Sequence, residues 1–207
     1  MRPEFVSAIE QNQAEFGLRL DAGVIERLAD YYELLQELNP MLHLVAPCSP
    51  EEFATRHILE SLTLLDRLPP NAKFVDVGPG GGLPSLPCLI ARNDPSATLI
   101  ESKEKKAAFL TTAINSLGLN DRATVINRQY AECDPGDARF VTSRALDKFT
   151  DKLPHLVRWA GLRTLLLFGG ESIETGLRTI GLKYESRLMP QSERRYLFVA
   201  KGARSRR

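Results

Sequence analysis

The chain reads as an α/β protein built on a doubly wound, mostly parallel sheet that follows an N-terminal helical cap. Three observations predict this. From Phe74 onward, short runs of β-formers alternate with amphipathic stretches, the order of parallel strands joined by crossover helices. The first run, FVDV, breaks directly into Gly78, Gly80, Gly81 and Gly82, which let a backbone turn sharply and approach a ligand closely. Residues 1–70 carry helical periodicity instead. At 207 residues there is room for one α/β domain with a helical addition and not for two full domains. The expected division is a cap over 1–70 and a ligand-binding core over 71–207.

Taken in order, residues 3–16 carry Phe5, Ile9 and Phe16 on a thin helical stripe that needs a partner surface. Asp21 is an N-cap, and Val24, Leu28, Tyr31, Leu35 and Leu38 recur at steps of three and four, predicting a helix that Asn39-Pro40 stops. Ser49-Pro50-Glu51-Glu52 starts a third helix, with Ser49 as cap and Pro50 at the first helical position. Pro69-Pro70 is the hinge into the sheet. After the glycines come a helix over 83–92, a strand over 97–101, a helix over 103–117 stopped by Gly118, and a strand over 123–127. Strands over 138–143 and 162–168 flank a helix over 150–160, and two antiparallel strands over 182–188 and 195–201 finish the sheet around a turn at Pro190 and Ser192.

The spacing from Asp76 is Asp-x-Gly-x-Gly-x-Gly. A dinucleotide site calls for G-x-G-x-x-G, yet the sixth position counted from Gly78 is Leu83, which weakens a nicotinamide reading. Asp76 before the glycines and Glu101 closing the next apolar run suit a ligand with an amino-acid end and a ribose, and S-adenosylmethionine has both. A glycine turn alone is often only a turn. In a doubly wound sheet, however, the carboxyl ends of the parallel strands share one edge where ligands bind. The loops at Asp76–Gly82, Glu101, Arg128–Glu132 and Ser143-Arg144 all map there.

Composition narrows the classes further. Lys and Arg number 27 against 26 Asp and Glu, far from the basicity of an obvious nucleic-acid binder. Lys201, Arg204, Arg206 and Arg207 crowd the end, so residues 1–200 are mildly acidic, and such a tail is more often solvated than bound to phosphate. Cys48, Cys88 and Cys133 form no C-x-x-C pair and read as reduced thiols, with no metal expected. With no apolar leader and no run near the ~20 apolar residues of a membrane span, the expectation is a cytoplasmic protein free of the membrane. Of other residues, His57 on an apolar helix face reads as a core histidine, Lys103, Lys105 and Lys106 as either a solvated cluster or an RNA contact, Tyr130 as packing or a surface for a base to stack on, and Trp159 as core.

The chain resembles the glucose-inhibited division protein B family. The likeness rests on YYELLQELNPMLHLV, RHILESL, DVGPGGGLPSLP, IESKEKKAAFL, NRQYAE, TSRAL and ERRYLFVAK, in family order along most of the chain. It implies a Rossmann-like methyltransferase that transfers a methyl group from S-adenosylmethionine to N7 of a guanine in 16S ribosomal RNA, in the RNA itself or in the small subunit; separately, a monomer is expected. A small-molecule methyltransferase and a catalytically idle RNA-binding homologue are the rival readings. Carried onto this chain, the resemblance places the cofactor against Asp76, Gly78, Gly80, Gly82, Glu101, Ala131, Glu132 and Arg144. Arg128, Arg144 and Arg195, or its neighbour Arg194, would bind the guanine or RNA backbone. Departures from the family pattern fall at His43-Leu44-Val45, Glu60, Ser85 and Gly169, the last in place of a lysine on the RNA side.

Overall fold

A computed structural model describes residues 1–144 and 149–202. The end of the TSRAL motif and the terminal arginines Arg204, Arg206 and Arg207 lie outside the described residues. Seven strands form one sheet in the order β3-β2-β1-β4-β5-β7-β6. These are β1 (Lys73–Val77), β2 (Ser96–Ile100), β3 (Ala123–Ile126), β4 (Phe140–Ser143), β5 (Thr164–Gly169), β6 (Tyr184–Leu188) and β7 (Tyr196–Lys201). The first five run parallel. β7 inserts antiparallel between β5 and β6, with Thr164 opposite Lys201 and Gly169 opposite Tyr196. The strand order turns between β1 and β4, which opens the crevice where a ligand is expected.

The helices are α1 (Arg2–Asn12), α2 (Ala22–Leu42), α3 (Pro50–Glu52), α4 (Glu60–Leu62), α5 (Ser85–Ala91), α6 (Glu104–Ser116), α7 (Phe149–Ala160) and α8 (Glu171–Ile180). Between α3 and α4 the chain winds as a π-helix over Phe53–Leu59, and beyond α4 it tightens to a 3-10 turn over Thr63–Arg67, giving one composite helix. The caps form as their side chains dictate. Asp21 accepts the Val24 N–H at 2.8 Å, and Ser49 accepts that of Glu52 at 3.0 Å. Pro40 does not stop α2. A proline within a helix forfeits one hydrogen bond, and here the chain runs on to Leu42 before His43 turns left-handed with φ of 49°. The Asn39 side chain then accepts the N–H groups of Leu44 and Val45 and so fixes the following loop.

α8 was not apparent from the sequence. Its Ile173, Leu177 and Ile180 recur at helical spacing, yet the segment is short and bounded by Gly170 and Gly181. The strand period of two sends Phe74 and Asp76 to one face of β1, and Val75 and Val77 to the other. On the first face α1, α2, the composite helix, α5 and α6 share a single buried cluster with Phe74, Leu99, Leu166 and Phe168. On the second, α7 and α8 cover Val75, Val77, Val141, Leu165 and Leu167. α1 is held by Phe5, stacked on Tyr32 with centroids 4.6 Å apart, and by Arg2. Glu26, Asp30 and Glu33 lie on one face of α2 and all pair with that guanidinium. Among the described residues, no helix is long and apolar enough to cross a membrane.

Candidate functional site

β1 ends at Val77, and the glycines then bend back beneath α2. Gly78, Gly80 and Gly82 have φ of 70°, 56° and 94°, a region that disfavours side chains. Gly81 packs closely instead: a Cβ there would lie 3.1 Å from Leu35 Cδ1 and 3.4 Å from Leu44 Cβ, so those side chains would have to give by a few tenths of an ångström. The buried Tyr31 hydroxyl donates to the Gly81 carbonyl at 2.6 Å, tying the cap to the loop. Opposite, Glu101 is buried just beyond β2. Its two oxygens accept the N–H groups of Gly80 at 3.1 Å and Lys103 at 2.8 Å, and its own carbonyl accepts from the Asn127 amide at 2.8 Å.

Between the loop and Glu101 lies a cavity of about 500 Å³. Gly78, Gly80, Glu101 and Arg144, all expected at the site, line it together. Further walls come from Leu44–Ala46, His57, Lys103, Lys106, Gln129 and Lys152. Lys103 and Lys106 belong to the cluster read as either solvated or RNA-facing, and Lys106 also donates to the His43 carbonyl at 3.2 Å. Leu44 and Val45 stood out in the sequence only as a departure from the family pattern, and Ala46 and Lys152 not at all, because only folding brings that loop and α7 over this edge.

Four of the residues expected to hold the cofactor stand away from that wall. Asp76 is fully buried behind the loop, where one oxygen accepts from Ser85 Oγ at 2.5 Å and the other, Oδ1, has no partner among the described residues. Burial pushes its carboxyl up to about 8, with the Ser85 hydrogen bond opposing the shift and the Glu101 charge adding to it. Gly82 packs instead of lining: a Cβ would meet Leu86 Cδ1 at 2.4 Å. Ala131 and Glu132 are exposed, because Tyr130 turns inward at this 3-10 turn, packing edge-on against Trp159 and hydrogen-bonding His155 Nδ1 at 3.0 Å. This geometry removes the option of Tyr130 stacking on a base. From the same loop Gln129 reaches the cavity, whereas Arg128 is exposed outside it.

A second cavity, of about 230 Å³, shares His57 and Arg144 with the first and adds Arg56, Glu60, Phe168, Gly169, Met189, Arg195 and Tyr196. Arg144, with a side chain 12% exposed, is held by the composite helix: it donates to the Arg56 carbonyl, to Glu60 Oε2 at 3.1 Å and to Ser61 Oγ at 3.2 Å. Its guanidinium lies 5.5 Å from the Phe168 ring centroid. Burial lowers its pKa, and the Glu60 carboxylate raises it in opposition. Arg195 reaches the same carboxylate through Nε at 2.7 Å.

His57 corrects the expectation of a satisfied core histidine. It is half-buried in the wall common to both cavities, and its buried Nδ1 lacks a partner among the described residues. Burial, then the charges of Arg144, Arg56 and Arg195, push its pKa down to about 3, so the ring is neutral at physiological pH. The site thus joins a roomy cavity with a carboxylate and glycine backbone to a smaller arginine-lined one.

Known proteins resemble this chain in sequence and in fold. The family described as GidB, rRNA small subunit methyltransferase G, matches residues 24–180, from α2 to the end of α8. A ribosomal RNA small subunit methyltransferase G of Sorangium cellulosum is 38% identical over 177 residues, covering 79% of this chain and 72% of that one. One from Neisseria meningitidis is 36% identical over 148 residues, covering 72% and 69%. In fold the chain is also similar to M. jannaschii TYW2, solved in complex with AdoMet, with a TM-score of 0.55, 17% identity and coverage of 72% and 76%. The pyocyanin biosynthetic protein PhzM gives a TM-score of 0.59 at 15% identity, covering 73% and 56%. The matched span holds the glycine loop, Glu101 and Arg144 in one continuous fold, and the chain therefore belongs to the rRNA small subunit methyltransferase G family.

Proposed function

We propose that the 500 Å³ cavity binds S-adenosylmethionine and that the neighbouring arginine-lined cavity receives a guanine of 16S ribosomal RNA for methylation at N7. The observation that carries this reading is the pairing of Glu101 with the glycine loop across one cavity, with Arg144 and His57 forming the wall it shares with the second. The residues fit the cofactor. Glu101 is prefixed by two backbone N–H groups to accept ribose hydroxyls, and the side-chain-free backbone of Gly78 and Gly80 lets an amino-acid end come close. Directly behind that loop, Asp76 Oδ1 is a buried polar atom without a partner among the described residues.

When bound, the cofactor supplies an electrophilic methyl group on a sulfonium. The protein's part is orientation. Guanine N7 carries a free lone pair, so no side chain has to remove a proton, and holding the reactants aligned can lower the barrier by roughly 7–11 kcal/mol. Positive charge passes from the sulfonium to the purine. A neutral His57 in the shared wall does not oppose that movement, whereas a protonated ring would. Arg144 and Arg195 are suited to the guanine O6 or to phosphate. Lys103, Lys106 and Lys152 at the larger cavity, with exposed Arg128 nearby, add positive charge for the RNA backbone. Residues 1–70 act as a cap whose Leu44–Ala46 segment closes over the cofactor. The protein works as a monomer in the cytoplasm.

Incubating the protein and labelled S-adenosylmethionine with unmethylated small subunits, and separately with their naked 16S RNA, tests this. Nucleoside analysis should place the label in 7-methylguanosine. Label in another nucleoside, or none in either RNA despite cofactor binding, refutes the assignment.

A further inference from the structure

We propose that Glu60 is a positioning residue of the methyl-transfer site, acting through Arg144 and Arg195 and touching neither cofactor nor base. The inference rests on the reading above and deepens it. Glu60 is 2% exposed, and each of its oxygens is taken by a different guanidinium, Oε1 by Arg195 and Oε2 by Arg144. The three residues come from distant parts of the chain: the composite helix, the end of β4, and the turn before β7. Glu60 stands where the π-wound stretch returns to α, and π turns inside helices recur at functional sites.

The charges explain why one carboxylate matters here. Arg56, Arg144 and Arg195 all line the smaller cavity, and among the described residues Glu60 is the acid in its lining. Without it, Arg144 and Arg195 lose the bridge between them and repel. Glu60 engages Arg195 at Nε, and among the described residues the two terminal NH₂ groups have no protein partner. Those are the paired donors that match a base edge or a phosphate. Arg144 is fixed on three sides by Arg56, Glu60 and Ser61, so its place in the wall between the cavities is also set from this helix. A misplacement of about 1 Å at such a site can cost roughly 10²-fold in rate.

The test compares wild type with Glu60→Gln, Glu60→Asp, Arg195→Leu and the double variant Glu60→Gln/Arg195→Leu. Calorimetry gives the S-adenosylmethionine Kd, and transfer to unmethylated small subunits gives kcat and KM. Glutamine offers one acceptor oxygen where two arginines need two. Glu60→Gln should therefore bind cofactor within about threefold of wild type yet lose about 10² in kcat/KM, a loss Glu60→Asp recovers in part because it restores the charge. With Arg195 gone, the glutamine oxygen suffices for Arg144, so the double variant should match Arg195→Leu within fivefold. That comparison decides the matter even where Glu60→Gln alone is too unstable to assay. Wild-type transfer by Glu60→Gln overturns the inference, as does a double variant more than fivefold below Arg195→Leu. Both results leave the function intact if wild type forms 7-methylguanosine, whereas a wild type that forms none removes the functional reading and this inference together.

Discussion

Replacing Tyr31 by phenylalanine removes one oxygen atom and isolates the link between the cap and the glycine loop. Tyr31 is fully buried, and its hydroxyl supplies the Gly81 carbonyl with a donor at 2.6 Å. Gly81 is itself buried against Leu35 and Leu44, so the carbonyl stranded by the substitution gains little access to water. A buried acceptor left unpaired costs about 1–3 kcal/mol. For a chain of this size, a loss of about 2 kcal/mol corresponds to a fall of about 4–8 °C in Tm. The same carbonyl lies within the loop that lines the proposed cofactor cavity, and S-adenosylmethionine should bind about 3–10-fold more weakly once the loop is freed. Thermal unfolding followed by circular dichroism, with calorimetric titration of the cofactor, measures both effects. Tyr32→Phe is the control: Tyr32 stacks on Phe5, has no hydroxyl partner among the described residues, and should change stability by no more than ~0.5 kcal/mol. If Tyr31→Phe melts within a degree of wild type and binds cofactor equally well, the proposed coupling between cap and loop is wrong.

Three further outcomes follow from the same geometry. Asp76 keeps its proton to about pH 8 in the folded protein, whereas in the unfolded chain it releases it near 3.8. Its contribution to stability is thus complete below about pH 4 and is lost as pH rises toward 8. Relative to Asp76→Asn, wild type should weaken in urea unfolding by on the order of 1 kcal/mol per pH unit between pH 5 and 7, and a pH-independent difference would show that Asp76 is ionised throughout. Gly82→Ala forces a Cβ to within 2.4 Å of Leu86 at a φ of 94°, and should destabilise by about 2–4 kcal/mol; an alanine variant of wild-type stability would contradict the loop geometry. Arg144→Ala leaves buried Glu60 with one partner. It should cost about 3 kcal/mol in urea unfolding and depress methyl transfer far more than cofactor affinity, and normal transfer would remove Arg144 from the site.

The first half of the site was legible because its signals are local. A strand breaking into glycines, followed by a second strand ending in Glu101, can be read from period and backbone freedom, and the structure brings both to one cavity. The caps at Asp21 and Ser49 and the antiparallel end of the sheet are local in the same way. The remainder depends on contacts between distant residues. Glu60 sits in a helical run whose π winding no propensity announces, and its two arginines follow it by 84 and 135 positions. His57 shares an apolar stripe with Phe53 and Ile58, so its sequence context matched a core residue until β4 and β7 delivered arginines beside it. The resemblance put Ala131 and Glu132 against the cofactor, but with Tyr130 buried both are exposed, and Gln129 from the same loop lines the cavity. Pro40 shows the opposite case, a strong local stop signal overridden by packing of the helix end and by the Asn39 side chain.

The most direct measurement is calorimetric titration of S-adenosylmethionine into wild type and Glu101→Ala. Glu101 closes the cavity opposite the glycine loop, and its carboxylate already orders the N–H groups of Gly80 and Lys103. Binding should be clear in wild type and weakened at least tenfold in a variant that remains folded. Equal affinity in a folded variant would place the cofactor elsewhere and contradict the site described here.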